Sequence, residues 1–265
     1  MLKILRTALA TGRVTTGYPR ERTQAPPAFR GRPIYKAGAC DCDGACVAVC
    51  PAQAITAGEG TPWALDMARC VFCGLCEVAC PNSAISFSGD FELAARRRED
   101  LLVRADSTAS RTVERPPQHD HNLGQQFTQR VRARLRRSLH IRHMDAGSDN
   151  STDWELNTLL NPVYDIQRLG IDVVASPRHA DLLFVTGPVT RNLALALQRT
   201  YEAMPAPRLV VAAGAEACGG GVLQGSYATA GGVNQCLPVD VYIPGDPPRP
   251  EAIIYGLLLA MDSRR

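Results

Sequence analysis

Eight of the ten cysteines fall between Cys40 and Cys80. Thiols that dense point to disulfides or to metal. Disulfides in a small secreted module are one outlet. The opening "MLKILRTALATGRVTTGYP" argues against it, because its apolar stretch is too short for a secretory signal and no small-residue cleavage site follows. A cytoplasmic setting is expected, and there dense cysteine points to metal.

The spacing narrows the metal. "CVFCGLCEVACP" reads Cys70-x2-Cys73-x2-Cys76-x3-Cys80-Pro81, the bacterial ferredoxin run. In such a run three cysteines wrap one [4Fe–4S] cluster and the fourth ligates the other of a pair. The earlier run, "CDCDGACVAVCP", keeps Cys40, Cys46, Cys50 and Pro51 in register. Its second ligand position falls on Asp43, with Cys42 one place earlier. Either Cys42 ligates and Asp43 is solvated, or Asp43 holds an iron through oxygen. Thiolate is the softer donor, which favours Cys42. In the crossed arrangement Cys40, Cys42 or Asp43, Cys46 and Cys80 hold one cluster. Cys70, Cys73, Cys76 and Cys50 hold the other. Two [4Fe–4S] clusters are therefore expected.

With 265 residues, 45% of them hydrophobic, there is room for two ordinary domains. We divide the chain into a basic amphipathic leader (1–30), a two-cluster α+β ferredoxin-like module (31–95), a polar linker (96–128) and an α/β domain (129–265). In the last part "SLHIRHMD", "IDVVAS", "ADLLFVTG", "RLVVAAG" and "PVDVYIPG" read as strands, and "VTRNLALALQRTYEAM" as a helix between two of them. That rhythm implies a parallel sheet covered on both faces. A net charge of +3 is too small to argue for nucleic acid. The basic stretch "TQRVRARLRRSLHIRH" suits an acidic partner or lipid head groups better. "AGAEACGGGVLQGS" is glycine-rich, yet carries no Walker lysine or dinucleotide fingerprint. No catalytic nucleophile can be assembled.

The leader, "FRGRP", both cysteine runs and "FELAARRREDLL" resemble the two-cluster ferredoxin-like subunit of formate hydrogenlyase, itself similar to its counterpart in respiratory complex I. From about residue 138 onward, "HMDAGSDNSTDWELNTLLNPVYDIQRLG", "VVAAGAEACGGG" and "PVDVYIPGDPPRPEAIIYGL" resemble the small subunit of energy-converting [NiFe] hydrogenases and the complex I subunit of the terminal cluster. That resemblance implies a flavodoxin-like fold with one cluster held on loops at the carboxyl ends of the strands. It also implies that the four cysteines of that cluster are gone. Their positions fall on Asp149, Thr152, Glu216 and Asp246. The three acids could bind a hard cation or zinc, pair with Arg178, Arg191 or Arg249, or meet a basic group of a partner. Cys218 and Cys236 lie off the motif, and a buried apolar role is the default for each.

The resemblance implies an iron–sulfur electron-transfer subunit of a membrane-bound oxidoreductase, peripheral on the cytoplasmic face of the cell membrane. Its implied partners are a hydrogenase large subunit or complex I 49-kDa-like subunit, together with membrane-embedded antiporter-like and quinone-site-like subunits. Leu2, Leu5 and Leu9 on one face of the leader, near Lys3, Arg6 and Arg13, suit such a surface. The alternative is a structural coupling subunit whose C-terminal domain only docks a large-subunit relative.

Overall fold

The structure is a computed structural model and describes residues 2–41, 43–58, 61–105 and 138–262. Cys42, most of the expected linker and the start of the basic stretch after it lie outside the described residues.

The chain opens with helix α1 (Leu2–Thr11). The ferredoxin module follows, with strands β1 (Pro33–Tyr35), β2 (Ile55–Gly58), β3 (Thr61–Asp66), β4 (Ile85–Phe87) and β5 (Leu102–Arg104). Two short helices, α2 (Ala45–Ala48) and α3 (Leu75–Ala79), stand in its cysteine runs. β1 pairs with β4, and β2, β3 and β5 form a second antiparallel sheet. The two halves repeat in detail. Gly44 and Gly74 both enter their helices in the left-handed region, where a side chain would be strained. Gln53 and Ser83 both have positive φ. Helices of four or five residues do not hold on propensity alone; here the turns at either end hold them. β5 carries the module's sheet past residue 95, into the stretch expected to be linker.

The apolar runs of the C-terminal part form β6 (Leu139–Asp145), β7 (Ile171–Val173), β8 (Leu182–Thr186), β9 (Leu209–Ala213) and β10 (Val241–Ile243). All are parallel, in the order β10-β9-β8-β6-β7. Counted within the domain this is 2-1-3-4-5, the order of flavodoxin-like sheets. Helices α4 (Ser151–Thr158), α5 (Arg191–Glu202), α6 (Ala215–Gly219) and α7 (Pro250–Asp262) complete the domain. β8 and β9 are buried at every residue, as expected of strands covered on both faces.

The leader does two different things. In α1, Ile4 and Leu9 are exposed. Residues 15–29 instead strap across the C-terminal domain. Thr16 N–H donates to Val163 O (2.8 Å), Thr15 Oγ1 to Pro162 O (2.9 Å), and Arg168 to Thr16 O (3.0 Å) and Tyr18 O. Tyr18 is buried beside Phe91, in the same core as Leu139, Ile141 and Ile253. Its hydroxyl donates to Glu92 (3.0 Å). One aromatic ring thus ties leader, ferredoxin module and sheet together. Tyr18→Ala is expected to cost about 3–5 kcal/mol, the range for a buried aromatic truncated to alanine. A lowered denaturation midpoint, with faster proteolysis within residues 12–30, would register the loss.

Other contacts join the domains as well. Ala95 exchanges backbone hydrogen bonds with Tyr242 at the β10 edge (3.0 and 2.8 Å). Gly219 of α6 lies so close to Ala68 that a Cβ there would come within 2.7 Å of its carbonyl oxygen. Met67, Ala68 and Cys70 share one apolar core with Ala217 and Cys218.

Candidate functional site

Two kinds of centre emerge. The first is thiol. Cys70 and Cys76 are buried, Cys50 is half-buried and Cys73 is exposed. The four lie within electrostatic reach of one another. Burial pushes the free thiol of Cys70 up to about 12, and Cys76, Cys50 and Cys73 push it the same way. Burial, then Cys50 and Cys73, raise Cys76 to about 11. A thiolate at either position therefore needs a cation beside it. Backbone N–H groups already point at sulfur: Phe72 at Cys70 (3.4 Å), and Ala54 at Cys50 (3.2 Å). Such bonds favour electron-rich sulfur, as in cluster ligation. Convergent thiols and N–H···S bonds fit a [4Fe–4S] cluster on Cys50, Cys70, Cys73 and Cys76.

The other half is drawn less completely. Burial raises the pKa of Cys46, with Cys40 adding to it. Ala84 N–H donates to Cys80 Sγ (3.3 Å), repeating the contact at Cys50. Asp43 is exposed, and its carboxylate accepts from Ala45 N–H (3.1 Å) as a local turn at the start of α2.

The second centre is acidic. In a sheet of this order the ligand crevice lies at the carboxyl ends of the strands, where the chain switches sides. Here the switch is between β6 and β8. Asp149 stands on the loop after β6, Glu216 follows β9, and Asp246 follows β10. The loops brace one another: Gly214 N–H donates to Ile243 O (2.9 Å) and Ala215 N–H to Gly245 O (2.7 Å). Thr152 joins them from α4, its Oγ1 standing where a Cβ on Gly214 would come within 2.7 Å. Gly214 also has positive φ, so glycine is required there twice over.

The three acids are electrostatic neighbours. Burial, then Asp149 and Asp246, raise Glu216 to about 7. Burial, then Asp149, raise Asp246 to about 6. Asp246 is exposed at the surface, yet the protein atoms packed around its carboxyl displace part of the water. Asp149 accepts from Ser151 N–H (2.9 Å) and Oγ (2.6 Å). Among the described residues none of the three has an ion-pair partner. Arg249 pairs with Glu251 (3.0 Å) and Arg191 donates to Tyr227 O (2.6 Å). Nor, among the described residues, are any three His, Cys, Asp or Glu side chains grouped to share a single metal ion.

Beneath the acids lies a network that the sequence did not suggest. Asp153 accepts from Thr186 Oγ1 (2.9 Å) and from Ser148 Oγ, and meets His143 Nε2 at 2.7 Å. Burial lowers the His143 pKa, against the opposing pull of Asp153 and Asp145. These residues come from two strands, a loop and a helix, and carry no local motif. They hold the Asp145–Asn150 loop that presents Asp149.

Residues 150–260 match the family described as NADH ubiquinone oxidoreductase, 20 Kd subunit. Residues 64–86 match the 4Fe-4S binding domain. The probable membrane-bound hydrogenase subunit mbhJ of Pyrococcus furiosus is 45% identical over 126 residues, 48% of this chain and 75% of that protein. The chain belongs to the NADH ubiquinone oxidoreductase 20 Kd subunit family. Formate hydrogenlyase subunit 7 of Escherichia coli is 40% identical over 128 residues, 48% of this chain and 50% of that one. An NADH-quinone oxidoreductase subunit of Citrifermentans bemidjiense is 50% identical over 99 residues, 37% of this chain and 58% of that one. The chain thus spans between half and three quarters of these relatives' lengths. The 20 Kd subunit match runs from α4 to α7 and holds Glu216 and Asp246. The 4Fe-4S match holds Cys70, Cys73, Cys76 and Cys80. No helix among the described residues is long and apolar enough to cross a membrane.

Proposed function

We propose that the protein is an iron–sulfur electron-transfer subunit of a membrane-bound oxidoreductase. The complex would be related to formate hydrogenlyase, energy-converting hydrogenase and respiratory complex I. Two [4Fe–4S] clusters sit in the ferredoxin module, and the terminal cluster of the 20 Kd domain is absent. The observation that carries this reading is the convergence of Cys50, Cys70, Cys73 and Cys76 beside the core shared with α6. Bound clusters supply one-electron transfer. The chain's own part is to hold the thiols, direct N–H groups at sulfur and pack the thiol centre of Cys50, Cys70, Cys73 and Cys76 against the 20 Kd domain. We assign the remaining ligand to Cys42, because the Asp43 carboxylate is occupied in a surface turn.

Support for the coupling alternative comes from the acids. A redox chain would want a thiolate where Asp149, Glu216 and Asp246 stand. Three crowded carboxylates with no cation from the described residues suit a basic group of a docked large-subunit relative instead. Such a complex would sit on the cytoplasmic face of the membrane beside its embedded subunits, with α1 turned toward them.

Iron content tests the reading. Anaerobically purified protein should carry about eight irons per chain, two cubes' worth. About twelve would place a third cluster at the acids and overturn it. Cys42→Ser should strip iron, while Asp43→Ala should leave the count and the visible spectrum unchanged. The reverse result would assign the ligand to Asp43.

A further inference from the structure

A cavity of about 400 Å³ opens between the two domains. Arg98 lines it from the ferredoxin module, Arg191 from the start of α5, and the glycine-rich chain between Gly219 and Gln235 forms the rest. The electron-transfer reading makes no use of it. Two of its lining residues are cationic, none is acidic, and most of the others are polar or glycine.

The two guanidinium groups are not equivalent. Arg98 gives both Nη atoms to Asp66 and is neutralised there. Arg191 gives Nε to Tyr227 O (2.6 Å), and among the described residues no carboxylate pairs with it. Its Nη atoms are left as an uncompensated cationic fork in a concave site, where field lines concentrate. A planar fork of this kind matches an oxyanion with two parallel charge-assisted bonds. The facing chain is built for close approach. Gly219, Gly225, Gly231 and Gly232 line it, so the backbone there carries no Cβ atoms, and Gly225 and Gly231 have positive φ. Gln224, Ser226 and Asn234 add amide and hydroxyl groups beside the cation. The volume exceeds what a bare phosphate needs and leaves room for a small polar body.

We propose that this basin binds a small phosphate-bearing molecule, with its phosphate on Arg191. Arg98 connects the basin to the cluster module. It braces Asp66, whose carbonyl accepts from Cys70 N–H (3.0 Å).

Calorimetric titration of the full-length, cluster-loaded protein in phosphate-free buffer tests the proposal, with inorganic phosphate and ribose 5-phosphate as separate probes. Saturable one-to-one binding of at least one probe is expected. Tighter binding of ribose 5-phosphate would identify a phosphorylated metabolite; tighter binding of inorganic phosphate would identify the free ion. Arg191→Gln should weaken binding at least tenfold, the lower end for a hydrogen bond to a charged group. Gln235→Glu should do the same by placing a negative charge in the wall, and it leaves the Arg191 bond to Tyr227 intact. That variant therefore separates lost binding from a loosened loop. Arg199→Gln, elsewhere on α5, should change nothing. Absence of saturable binding by both probes, or unchanged affinity in both Arg191→Gln and Gln235→Glu, would overturn the proposal.

Discussion

Cys76→Ser is expected to cut the iron content from about eight to about four per chain and to unfold the ferredoxin module at far lower denaturant. The size of the effect follows from burial. Cys76 is 7% exposed and packs in one core with Cys70, Ala68 and Leu65. A serine there leaves a hydroxyl among apolar atoms and, on the proposed ligand set, removes the thiolate that anchors α3 to a cluster. Metal-ligand bonds are folding free energy in small modules. The loss therefore belongs in the exceptional range above about 4–5 kcal/mol. Cys73→Ser should lose iron too, but with a smaller fall in stability, because Cys73 is exposed and its side chain fills no core. Iron analysis and urea unfolding of both variants, purified anaerobically, check the pair. Equal destabilisation by the two would mean that burial does not set the cost. Cluster assembly should also be favoured by raising the pH. Free thiols held at about 12 and about 11 must give up protons to bind iron.

Much of this fold was legible because its signals are local. Each of the five apolar runs in the C-terminal part became a strand, and "VTRNLALALQRTYEAM" contains α5. Runs of Val, Ile and Leu between Gly, Pro and Ser leave few other outcomes. From the cysteine spacing a crossed ligand set is the expectation. Cys50 joins Cys70, Cys73 and Cys76 from the other cysteine run, because the two halves are related by a repeat.

What stayed hidden depends on distant partners. Tyr18 sits in a stretch with no periodicity, and nothing near it announces that Phe91 and Ile141 will enclose it. β5 was not visible in the stretch read as linker, because it is three residues long and is a strand only through its pairing with β3. For the acids, spacing alone could not bring Asp149 to Glu216, which lie on loops after different strands. Only the resemblance to the hydrogenase small subunit, with the ligand positions it implies, suggested that they meet. The same similarity said nothing of His143, Asp153 and Thr186, since their role is to hold a loop.

Glu216→Gln is expected to stabilise the isolated chain at pH 8 and to do nothing at pH 4. In an unfolded chain a glutamate titrates near 4.3 and an aspartate near 3.9, both approximate. In the fold, burial and mutual repulsion raise Glu216 to about 7 and Asp246 to about 6. A folded pKa above the unfolded one means that the native state holds the proton more tightly. Stability from these carboxyls is then complete below about pH 4 and drains away as the pH climbs to about 7. Glutamine keeps the shape and removes the charge. After discounting for solvent screening, the gain at pH 8 should be about 1–2 kcal/mol. Denaturation midpoints of both forms from pH 5.5 to 8 check this. A difference that does not change with pH would mean that the charge is not the cause. In the assembled complex the sign should reverse. If a partner's basic group sits over Asp149, Glu216 and Asp246, the substitution that steadies the free chain removes part of its docking contact. Stronger folding with weaker association would then be the signature of acids that serve an interface.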